Sequence, residues 1–524
     1  MCGFLFVEGH IDDRKFLKAF NKLQHRGPDQ SRVVSDKWGT FGFHRLSIMD
    51  TSEHGMQPFD TEDVRLVCNG EIYNDQLFRQ RYKDYPYISG SDCESLIPLY
   101  LDEKVEMAKE LDAEFVFVLY DKKLKQVIAA RDPIGIRPMF YGRLKETGKY
   151  AFASEVKGLQ DICDDVKVFP PGQIFVDGVF SDYAKLTEVT YQIDDQDEAL
   201  AKIRSGLFAG VKKRLISDVP IGYLLSGGLD SSLVCAIAQR HTTQPIDTFA
   251  IGMAKDAIDL KYAKQVADFI GSRHHEVTMT MKDVLAAVED VIYHLETFDI
   301  TTIRASMGMY LICKYIRENT SIKVLLTGEI SDEIFGYKYT DFAPSGEEFQ
   351  KESLKRLREL HVYDVLRADR CIAAWSLEAR VPFGDLAFVK DVLAIKPELK
   401  MNTTGQGKFL LRQAFAQDNL LPKEILWREK AAFSDAVGHS MVDELKKYAN
   451  SLYSSDDVKK AQAKYQHCPP HTPEALFYRE VFEKHYPKRE ALIPGFWMPN
   501  ASWPNCAVDD PSARALSNYG DSGK

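Results

Sequence analysis

The sequence predicts an α/β protein of more than one domain, built from two regions that differ in secondary structure. In the first 180 or so residues, short apolar runs alternate with turn residues, which is typical of packed β-sheets. After about residue 200, strands and helices alternate, and this pattern indicates βαβ units in a doubly wound parallel sheet with helical additions. A length of 524 residues leaves room for roughly two to four domains.

The first region is predicted to contain many strands and few helices. Apolar runs at residues 3–7, 65–68 and 115–120 are among those that predict strands. Two helices interrupt them, one after Asp12 and one near Asp92. The sequence of the first region therefore predicts packed β-sheets that are covered by a small number of helices.

The second region is predicted to alternate regularly between strands and helices. The predicted strands are residues 221–225, 248–251, 275–278 and 323–326. The predicted helices are residues 197–214, 230–239, 261–270, 283–293 and 306–317. Beyond residue 340 the pattern is mostly helical.

The acidic stretch 192–198 separates the two regions and is the best candidate for a linker. It predicts a first domain at residues 2–190 and a second at residues 200–485. The last segment, residues 486–524, is rich in Pro, Asn and Ser and is predicted to be a poorly ordered tail.

Composition excludes several classes of partner. With Lys+Arg 67 and Asp+Glu 77, the net charge of −10 provides no general attraction to nucleic acid or anionic lipid. No apolar run approaches the roughly 18 residues of a membrane-spanning helix. The nine cysteines include no Cys-x-x-Cys pair, which argues against a disulfide scaffold and a thiolate zinc site. The sequence therefore predicts a cytoplasmic protein without nucleic-acid or membrane partners.

Cys2 is the first residue with a reactive side chain. If Met1 is removed, the Cys2 thiol and a free α-amine belong to one residue, so that a nucleophile and a base lie side by side. Position alone leaves a second interpretation open. Buried cysteine is common, and Cys2 also begins an apolar run.

Motifs further along the first region favour a catalytic Cys2. Asn69 and Gly70 follow a predicted strand, and a side-chain amide with a backbone N–H suits an oxyanion. Arg45 and Asp92 lie beside turns, and an Arg with an Asp suits the carboxylate and ammonium groups of an amino acid. In this order, from residue 2 to about residue 185, the motifs resemble the class II glutamine amidotransferases, which are N-terminal-nucleophile hydrolases.

This resemblance implies an αββα sandwich in which Cys2 attacks the side-chain amide of glutamine. Asn69 and Gly70 would form the oxyanion hole. The residues that the resemblance implies for glutamine binding are Arg45, Leu46, Ser47, Ile48, Met49, Asn69, Gly70, Glu71 and Asp92.

A glycine-rich loop lies between a predicted strand and a predicted helix of the second region. Its residues are Ser226, Gly227, Gly228, Leu229, Asp230, Ser231 and Ser232. Such a turn points backbone N–H groups and a helix N-terminus at an anion, and its glycines let the backbone approach closely. The loop lacks the Gly-Lys-Ser/Thr of a Walker loop and resembles the PP-loop of ATP pyrophosphatases, which bind pyrophosphate and transfer AMP.

An acidic loop, residues 327–333, follows the predicted strand 323–326. Because parallel strands end at one edge of a sheet, Asp332 is expected near Asp230. Two carboxylates from different loops suit a Mg²⁺ ion that keeps most of its waters and bridges phosphates. The sequence therefore predicts Mg²⁺ as cofactor, with Asp230 and Asp332 as its ligands. Without the glycine-rich loop, a solvated acidic loop would be the simpler interpretation.

With both regions considered, the chain from Cys2 to about Asp435 resembles the glutamine-hydrolysing asparagine synthetases. The resemblance implies that Glu329 is the acid or base for the attack of ammonia. The residues that it implies around aspartate or the intermediate are Thr301, Thr302, Arg304 and Glu329. The residues that it implies for ATP binding are Leu225, Ser226, Gly227, Gly228, Asp230, Ser231, Ser232, Ile251, Thr327, Gly328 and Lys430.

The resemblance implies two reactions, with ATP, aspartate, glutamine and ammonia as small-molecule partners. Glutamine is hydrolysed in the first domain, and aspartate is converted to β-aspartyl-AMP and then to asparagine in the second. Members of the family are often dimeric, so a homodimer is one expectation. Two other functions stay open: amidation of a different carboxylate through an adenylate, or a glutaminase or glutamine-binding regulator whose second domain is inactive.

Several positions depart from the pattern of the family, and three of them bear most on the second predicted site. The family has Gly at the positions of Ile330 and Tyr337, and Glu at the position of Ala431. Ile330 matters most, because a β-branched residue resists a positive φ and could displace Glu329.

Overall fold

The computed structural model of the chain describes residues 1–189, 191–254, 257–428, 439–511 and 515–518. The chain forms two compact units. The first consists of Met1–Leu186, Ser217–Pro220 and Ala373–Glu378, and the second consists of Thr187–Ile216, Ile221–Ile372 and Ala379–Lys524. Among the described residues, no helix combines the length and apolar character that crossing a membrane requires.

The first unit contains two antiparallel sheets of six strands each. The strands are β1 (Gly3–Glu8), β2 (Gln30–Ser35), β3 (Gly39–Arg45), β4 (Phe59–Asp60), β5 (Val64–Ile72), β6 (Ala113–Asp121), β7 (Gln126–Arg131), β8 (Phe140–Leu144), β9 (Tyr150–Ala153), β10 (Cys163–Val168), β11 (Gln173–Val176) and β12 (Val179–Asp182). The strand orders are β10-β8-β9-β1-β3-β2 and β12-β11-β7-β6-β5-β4. The helices are α1 (Asp13–Asn21), α2 (Asp75–Arg81) and α3 (Leu96–Glu103).

The two sheets pack face to face, and helices cover their outer faces. Phe6 of β1 and Val118 of β6 belong to the apolar core between the sheets. Phe78 of α2 belongs to a second core on the other face of the second sheet. On the first sheet, Gly42 of β3 leaves room for the ring of Phe20 in α1. These layers confirm the αββα sandwich.

The second unit is built on a sheet of five strands. These are β13 (Ile221–Leu224), β14 (Asp247–Met253), β15 (Arg273–Met279), β16 (Val324–Leu326) and β17 (Glu378–Arg380), in the order β15-β14-β13-β16-β17. β13 pairs in parallel with β14 and β16, and β14 pairs in parallel with β15. The strand order reverses beside β13, and open parallel sheets bind ligands at the carboxyl edge of such a switch point. The glycine-rich loop follows β13 and the acidic loop follows β16, so the topology brings the two together.

Helices connect the strands of this sheet and extend the unit beyond it. They are α4 (Gln196–Lys213), α5 (Leu229–Arg240), α6 (Ile258–Ile270), α7 (Met281–Leu295), α8 (Ile300–Asn319), α9 (Ser331–Phe335), α10 (Gly346–Glu359), α11 (Asp364–Ala373), α12 (Leu386–Ala394), α13 (Pro397–Lys400), α14 (Phe409–Ala414), α15 (Lys423–Leu426), α16 (His439–Leu452), α17 (Ser455–Lys464) and α18 (Pro473–His485). Helices lie between successive parallel strands, and this arrangement confirms the doubly wound sheet with helical additions.

Residues 486–511 do not form the poorly ordered tail that the composition predicts. Trp503 and Cys506 are 3% and 1% exposed, and they belong to an apolar cluster with Tyr339 and Phe349. The prediction is wrong for these residues because it weighs their Pro and Asn content. The aromatic side chains among them bury enough apolar surface to fix the segment.

Candidate active sites

The Cys2 thiol lies at the start of β1, against the loop that follows β3. The backbone N–H of Leu46 donates to Sγ of Cys2 at 3.4 Å, and Sγ lies 3.7 Å from the Leu46 carbonyl oxygen. Nε of Arg26 donates to the Cys2 carbonyl at 2.9 Å. Burial raises the pKa of the Cys2 thiol. The thiol therefore needs a nearby base before it can act as a nucleophile.

The backbone nitrogen of Cys2 is the candidate for this base. It donates to Oδ1 of Asn69 at 2.9 Å. With Met1 attached this nitrogen is an amide, whereas removal of Met1 would leave an amine next to the thiol. The Met1 amine itself is buried, and burial lowers its pKa to about 5. This end of β1 therefore favours a neutral amine, which is the form that accepts a proton.

Asn69 and Gly70, the residues predicted to form the oxyanion hole, lie in β5. Asn69 is 1% exposed. Its Nδ2 has no hydrogen-bond partner in the described part of the chain, and an unpaired buried donor costs about 1–3 kcal/mol. A Cβ on Gly70 would lie 2.6 Å from the carbonyl oxygen of Glu114, so the packing of β5 on β6 requires glycine here. A ligand oxygen bound beside Asn69 would satisfy the unpaired amide.

Arg45 supports the loop beside Cys2, a contact that the sequence does not predict. Its Nη1 donates to the Ser52 carbonyl at 2.6 Å, and its Nη2 donates to the Met49 carbonyl at 3.2 Å. Residues 46–49, which the sequence predicts to bind glutamine, belong to this loop. Ser47 is held further by its backbone N–H, which donates to Asp29 at 2.9 Å. In the structure Arg45 thus shapes the wall formed by these residues.

Two buried carboxylates lie near the oxyanion residues. Oδ2 of Asp92 accepts a hydrogen bond from the backbone N–H of Ile72 at 2.7 Å, which joins Asp92 to the end of β5. Burial raises the pKa of Asp92 to about 6, so this carboxyl is mostly ionised at pH 7. Glu71 is 4% exposed and lies next to Gly70 in β5. A negative charge here suits the ammonium group of a bound amino acid.

The second unit contains a cavity of about 250 Å³ at the carboxyl edge of its sheet. The predicted site residues that line this cavity are Leu225, Ser226, Gly228, Asp230, Ser231, Ile251, Thr301, Arg304, Thr327, Gly328, Glu329 and Asp332. Within the described ranges, the hydroxyl groups of Thr301 and Thr327 are buried without a hydrogen-bond partner. Lys430, also predicted to bind ATP, lies outside the described residues.

The glycine-rich loop is shaped to present its backbone to an anion. Gly227 has a φ of +70°, and a Cβ there would lie 2.5 Å from the backbone nitrogen of Ala263. Oγ of Ser226 lies 3.0 Å from Oγ of Ser231, which closes the turn. Gly228 is the N-cap of α5, and a 12-residue helix starting there directs its N-terminal N–H groups at the cavity edge.

Three predicted residues have roles away from the cavity wall. Gly227 packs against α6. Ser232 is fully buried in α5. Asp299 caps α8, and the backbone N–H and the hydroxyl of Thr302 donate to its carboxylate at 2.8 and 2.7 Å. The assignments of Gly227 and Ser232 to ATP, and of Thr302 to aspartate or the intermediate, therefore stay predictions. Neighbouring residues of a helix point to different faces, and at Thr301 and Thr302 only the first faces the cavity.

Asp230 and Asp332 come together as predicted, around the ammonium group of Lys408. Both carboxylate oxygens of Asp230 lie 2.9 Å from Nζ of Lys408, and Oδ1 of Asp332 lies 2.5 Å from it. Ser331 donates to Asp230 at 2.7 Å. Two carboxylates that already converge on one cation fit Mg²⁺, which takes its remaining ligands from water and phosphate. Across the described ranges, no cluster of three or more His, Cys, Asp or Glu side chains that could hold a metal ion forms.

Glu329 forms a buried ion pair at the other side of the acidic loop. Nη1 and Nη2 of Arg367 donate to its two carboxylate oxygens at 3.2 and 2.6 Å. Arg367 also donates to Asp364 at 3.0 Å. Burial raises the pKa of Glu329 although Arg367 opposes that rise. A carboxyl group that lines a cavity and has a pKa above its ordinary value is suited to accept and donate a proton.

Lys408 and Arg428 line the cavity, and sequence reasoning assigned a function to neither. Nη1 of Arg428 donates to the Gly227 carbonyl at 3.1 Å, and its guanidinium lies 3.8 Å from the centre of the Tyr262 ring. Both residues are recognised only from the folded structure, because each lies about 180 to 200 residues in sequence from its partner in the glycine-rich loop.

Comparisons with known proteins find matches to both units of the chain. A family model described as a glutamine amidotransferase domain matches residues 1–176. A model described as asparagine synthase matches residues 202–347 and 339–515. These two matches cover both units.

The chain also resembles curated full-length proteins. It is 40% identical over 521 residues to a protein named asparagine synthetase (glutamine-hydrolyzing) 3 of Arabidopsis thaliana, covering 94% of this chain and 89% of that protein. It is 41% identical over 564 residues to the asparagine synthetase (glutamine-hydrolyzing) of Gallus gallus, covering 99% of both. With the nucleophile geometry in one unit and the phosphate loop in the other, this similarity shows that the chain belongs to the glutamine-hydrolysing asparagine synthetase family.

Proposed function

We propose that the protein synthesises asparagine from aspartate, using ATP and ammonia released from glutamine. The observation that carries this proposal is the pairing of two sites in one chain. A partly buried thiol lies beside an unpaired amide donor in the first unit, and the glycine-rich loop lies beside paired carboxylates in the second. Residues 2–190 would carry the glutaminase reaction and residues 200–485 the synthetase reaction. A cytoplasmic location remains a prediction.

In the glutaminase reaction, Sγ of Cys2 attacks the amide carbon of glutamine and its proton passes to the α-amine. The oxygen of the tetrahedral intermediate accepts hydrogen bonds from Nδ2 of Asn69 and the backbone N–H of Gly70. The C–N bond then breaks and ammonia leaves with a proton from the amine. Water hydrolyses the thioester to glutamate and restores the thiol. Glu71 and Asp92 would hold the α-ammonium group of glutamine throughout.

In the synthetase reaction, the β-carboxylate of aspartate attacks the α-phosphorus of ATP, and pyrophosphate leaves. Leu225 and Ile251 supply apolar walls for the adenosine, and the glycine-rich loop holds the phosphates. Mg²⁺ would be held by Asp230 and Asp332 and would offset the negative charge of the phosphates. Ammonia then attacks the β-carbonyl of β-aspartyl-AMP, AMP leaves, and Glu329 accepts the surplus proton.

Aspartate-dependent release of pyrophosphate tests this proposal. The protein would be incubated with Mg²⁺, ATP and one carboxylic acid at a time, with asparagine, glutamate, malate and succinate beside aspartate. We expect release with aspartate alone, and asparagine formation when glutamine is added. Release with another acid would assign a different amidated product, and no release with any acid would leave a glutaminase or a regulator.

A further inference from the structure

The proposed function leaves no role for the C-terminal segment, yet this segment reaches the synthetase cavity. We call residues 497–511 the closing segment. Trp497 and Pro511, at its two ends, both line the cavity. Between them, Trp503 and Cys506 are buried and fix the segment on the second unit. The closing segment therefore forms part of the cavity wall.

The first end of the closing segment is tied to the start of α8. The backbone N–H of Trp497 donates to Oδ1 of Asp299 at 2.7 Å. The other oxygen of Asp299 accepts from the backbone and the hydroxyl of Thr302 at 2.8 and 2.7 Å. One carboxylate thus joins the segment to the first turn of α8, which carries Thr301 into the cavity.

The second end is tied to the same helix one turn later. Nη1 of Arg304 donates to Oδ1 of Asp510 at 2.9 Å. Nε and Nη2 of Arg304 form a bidentate pair with Glu474 of α18 at 2.9 and 2.6 Å. Lys446 of α16 donates to the other oxygen of Asp510. The carboxylate of Asp510 is therefore held by Arg304 on one oxygen and by Lys446 on the other.

These contacts determine the orientation of Arg304. The residue is 4% exposed and lines the cavity. Three of the five N–H donors of its guanidinium are used by the two carboxylates, one on each side. A planar guanidinium that is held from two sides cannot turn without losing a charged hydrogen bond in a buried site.

We propose that the closing segment completes the aspartate pocket, and that Asp510 is the positioning residue that holds Arg304 in the orientation needed to bind aspartate. This inference rests on the proposed function, because it names aspartate as the ligand of this end of the cavity. Asp510 acts through Arg304. It has no step in the reaction itself.

The inference predicts a selective effect of Asp510→Asn. An amide of the same shape keeps the packing of the segment but removes the charge that holds Arg304. We expect the KM for aspartate to rise about tenfold, as for the loss of one charged hydrogen bond, while the KM for ATP stays within about twofold. Glutaminase activity, which belongs to the other unit, should not change. Asp510→Glu should restore part of the aspartate affinity, because it returns the carboxylate.

The matched control is Asp509→Asn. Asp509 is the adjacent acid and is exposed, so this variant makes the same change of charge without reaching Arg304. It should have the aspartate KM of the wild type. Thermal unfolding of all three variants, measured alongside, separates loss of folded protein from loss of affinity.

Two results would overturn the inference. An aspartate KM that is equal in Asp510→Asn and Asp509→Asn would mean that Arg304 needs no such support. A rise in the KM values for ATP and aspartate together would mean that the segment only stabilises the unit. Failure of the proposed function would be recognised differently: the wild type would then release no pyrophosphate with aspartate, which refutes both proposals.

Discussion

Ile330 adopts a left-handed backbone conformation directly after Glu329. Its φ is 79° and its ψ is −20°, and its side chain is 1% exposed. A β-branched residue in this conformation stores strain of about 1–3 kcal/mol. The sequence suggests this strain, because the resemblance to the family implies glycine at this position. The structure locates it at the N-cap of α9, between Glu329 and Asp332.

We expect Ile330→Gly to raise synthetase turnover. Relief of about 1 kcal/mol of strain next to Glu329 corresponds to about a fivefold change in rate. Aspartate-dependent pyrophosphate release measures this effect, and the KM for glutamine should not change. Ile330→Ala is the matched control, since it removes the same side-chain packing but keeps a Cβ and hence the strain. Equal turnover in the two variants would show that the loop has repacked around Ile330 and that the strain does not limit the rate.

Met1 should be absent from the active protein. The Cys2 nitrogen can accept a proton from the thiol only as an amine, and it is an amide while Met1 is attached. Intact-mass spectrometry of protein with full glutaminase activity checks this directly. A mass that includes Met1 on fully active protein would require a different base for Cys2.

At the scale of elements, the loops after β13 and β16 should act together. We expect Asp230→Asn and Asp332→Asn each to abolish pyrophosphate release, because each removes a charged oxygen from a site for a hard cation. Each variant also takes a counter-charge from Lys408, so thermal stability should fall in the absence of nucleotide. Glutaminase activity in the first unit serves as the internal control and should stay at the wild-type rate. Synthetase activity of the wild-type level in either variant would contradict a shared Mg²⁺ site.

The regular elements are largely predictable from sequence because their signals are local. The predicted strand 221–225 is β13 at Ile221–Leu224, and the predicted strand 323–326 is β16 at Val324–Leu326. Apolar runs bounded by turns are sufficient to identify such strands. The order of the loops along the chain, together with the parallel sheet, also predicts that Asp230 and Asp332 meet.

The partners of the site residues are not predictable in the same way. Arg304 is correctly assigned to the cavity, but its partners Glu474 and Asp510 lie 170 and 206 residues away in sequence. The contact of Arg45 with the Met49 carbonyl depends on how one loop folds back on itself. Pairings of this kind follow from packing, and the identity of a single residue does not reveal them.

At the scale of the whole molecule, the two chemistries belong to separate compact units. The thiol, the unpaired amide of Asn69 and the carboxylate of Asp92 are in the first unit. The glycine-rich loop and the acidic loop are in the second. Because each unit has its own apolar core, removal of the Cys2 thiol from the first unit should leave the second unit folded.

The central claim is therefore that the two activities are separable. Cys2→Ala removes the group that attacks the glutamine amide, and water cannot replace a positioned thiolate at a comparable rate. Glutaminase activity and glutamine-dependent asparagine formation should fall together to background. Cys163→Ala is the control, because it removes another thiol of the same unit, buried in β10, and it should keep both activities.

Asparagine formation from ammonia in the Cys2→Ala variant tests this claim most directly. The assay supplies aspartate, ATP, Mg²⁺ and a high concentration of ammonium at about pH 8 or above, where more of it is the nucleophilic free base. We predict that the variant makes asparagine at the same rate as the wild type under these conditions. A wild type that uses ammonia while the Cys2→Ala variant does not would contradict the assignment of two independent sites.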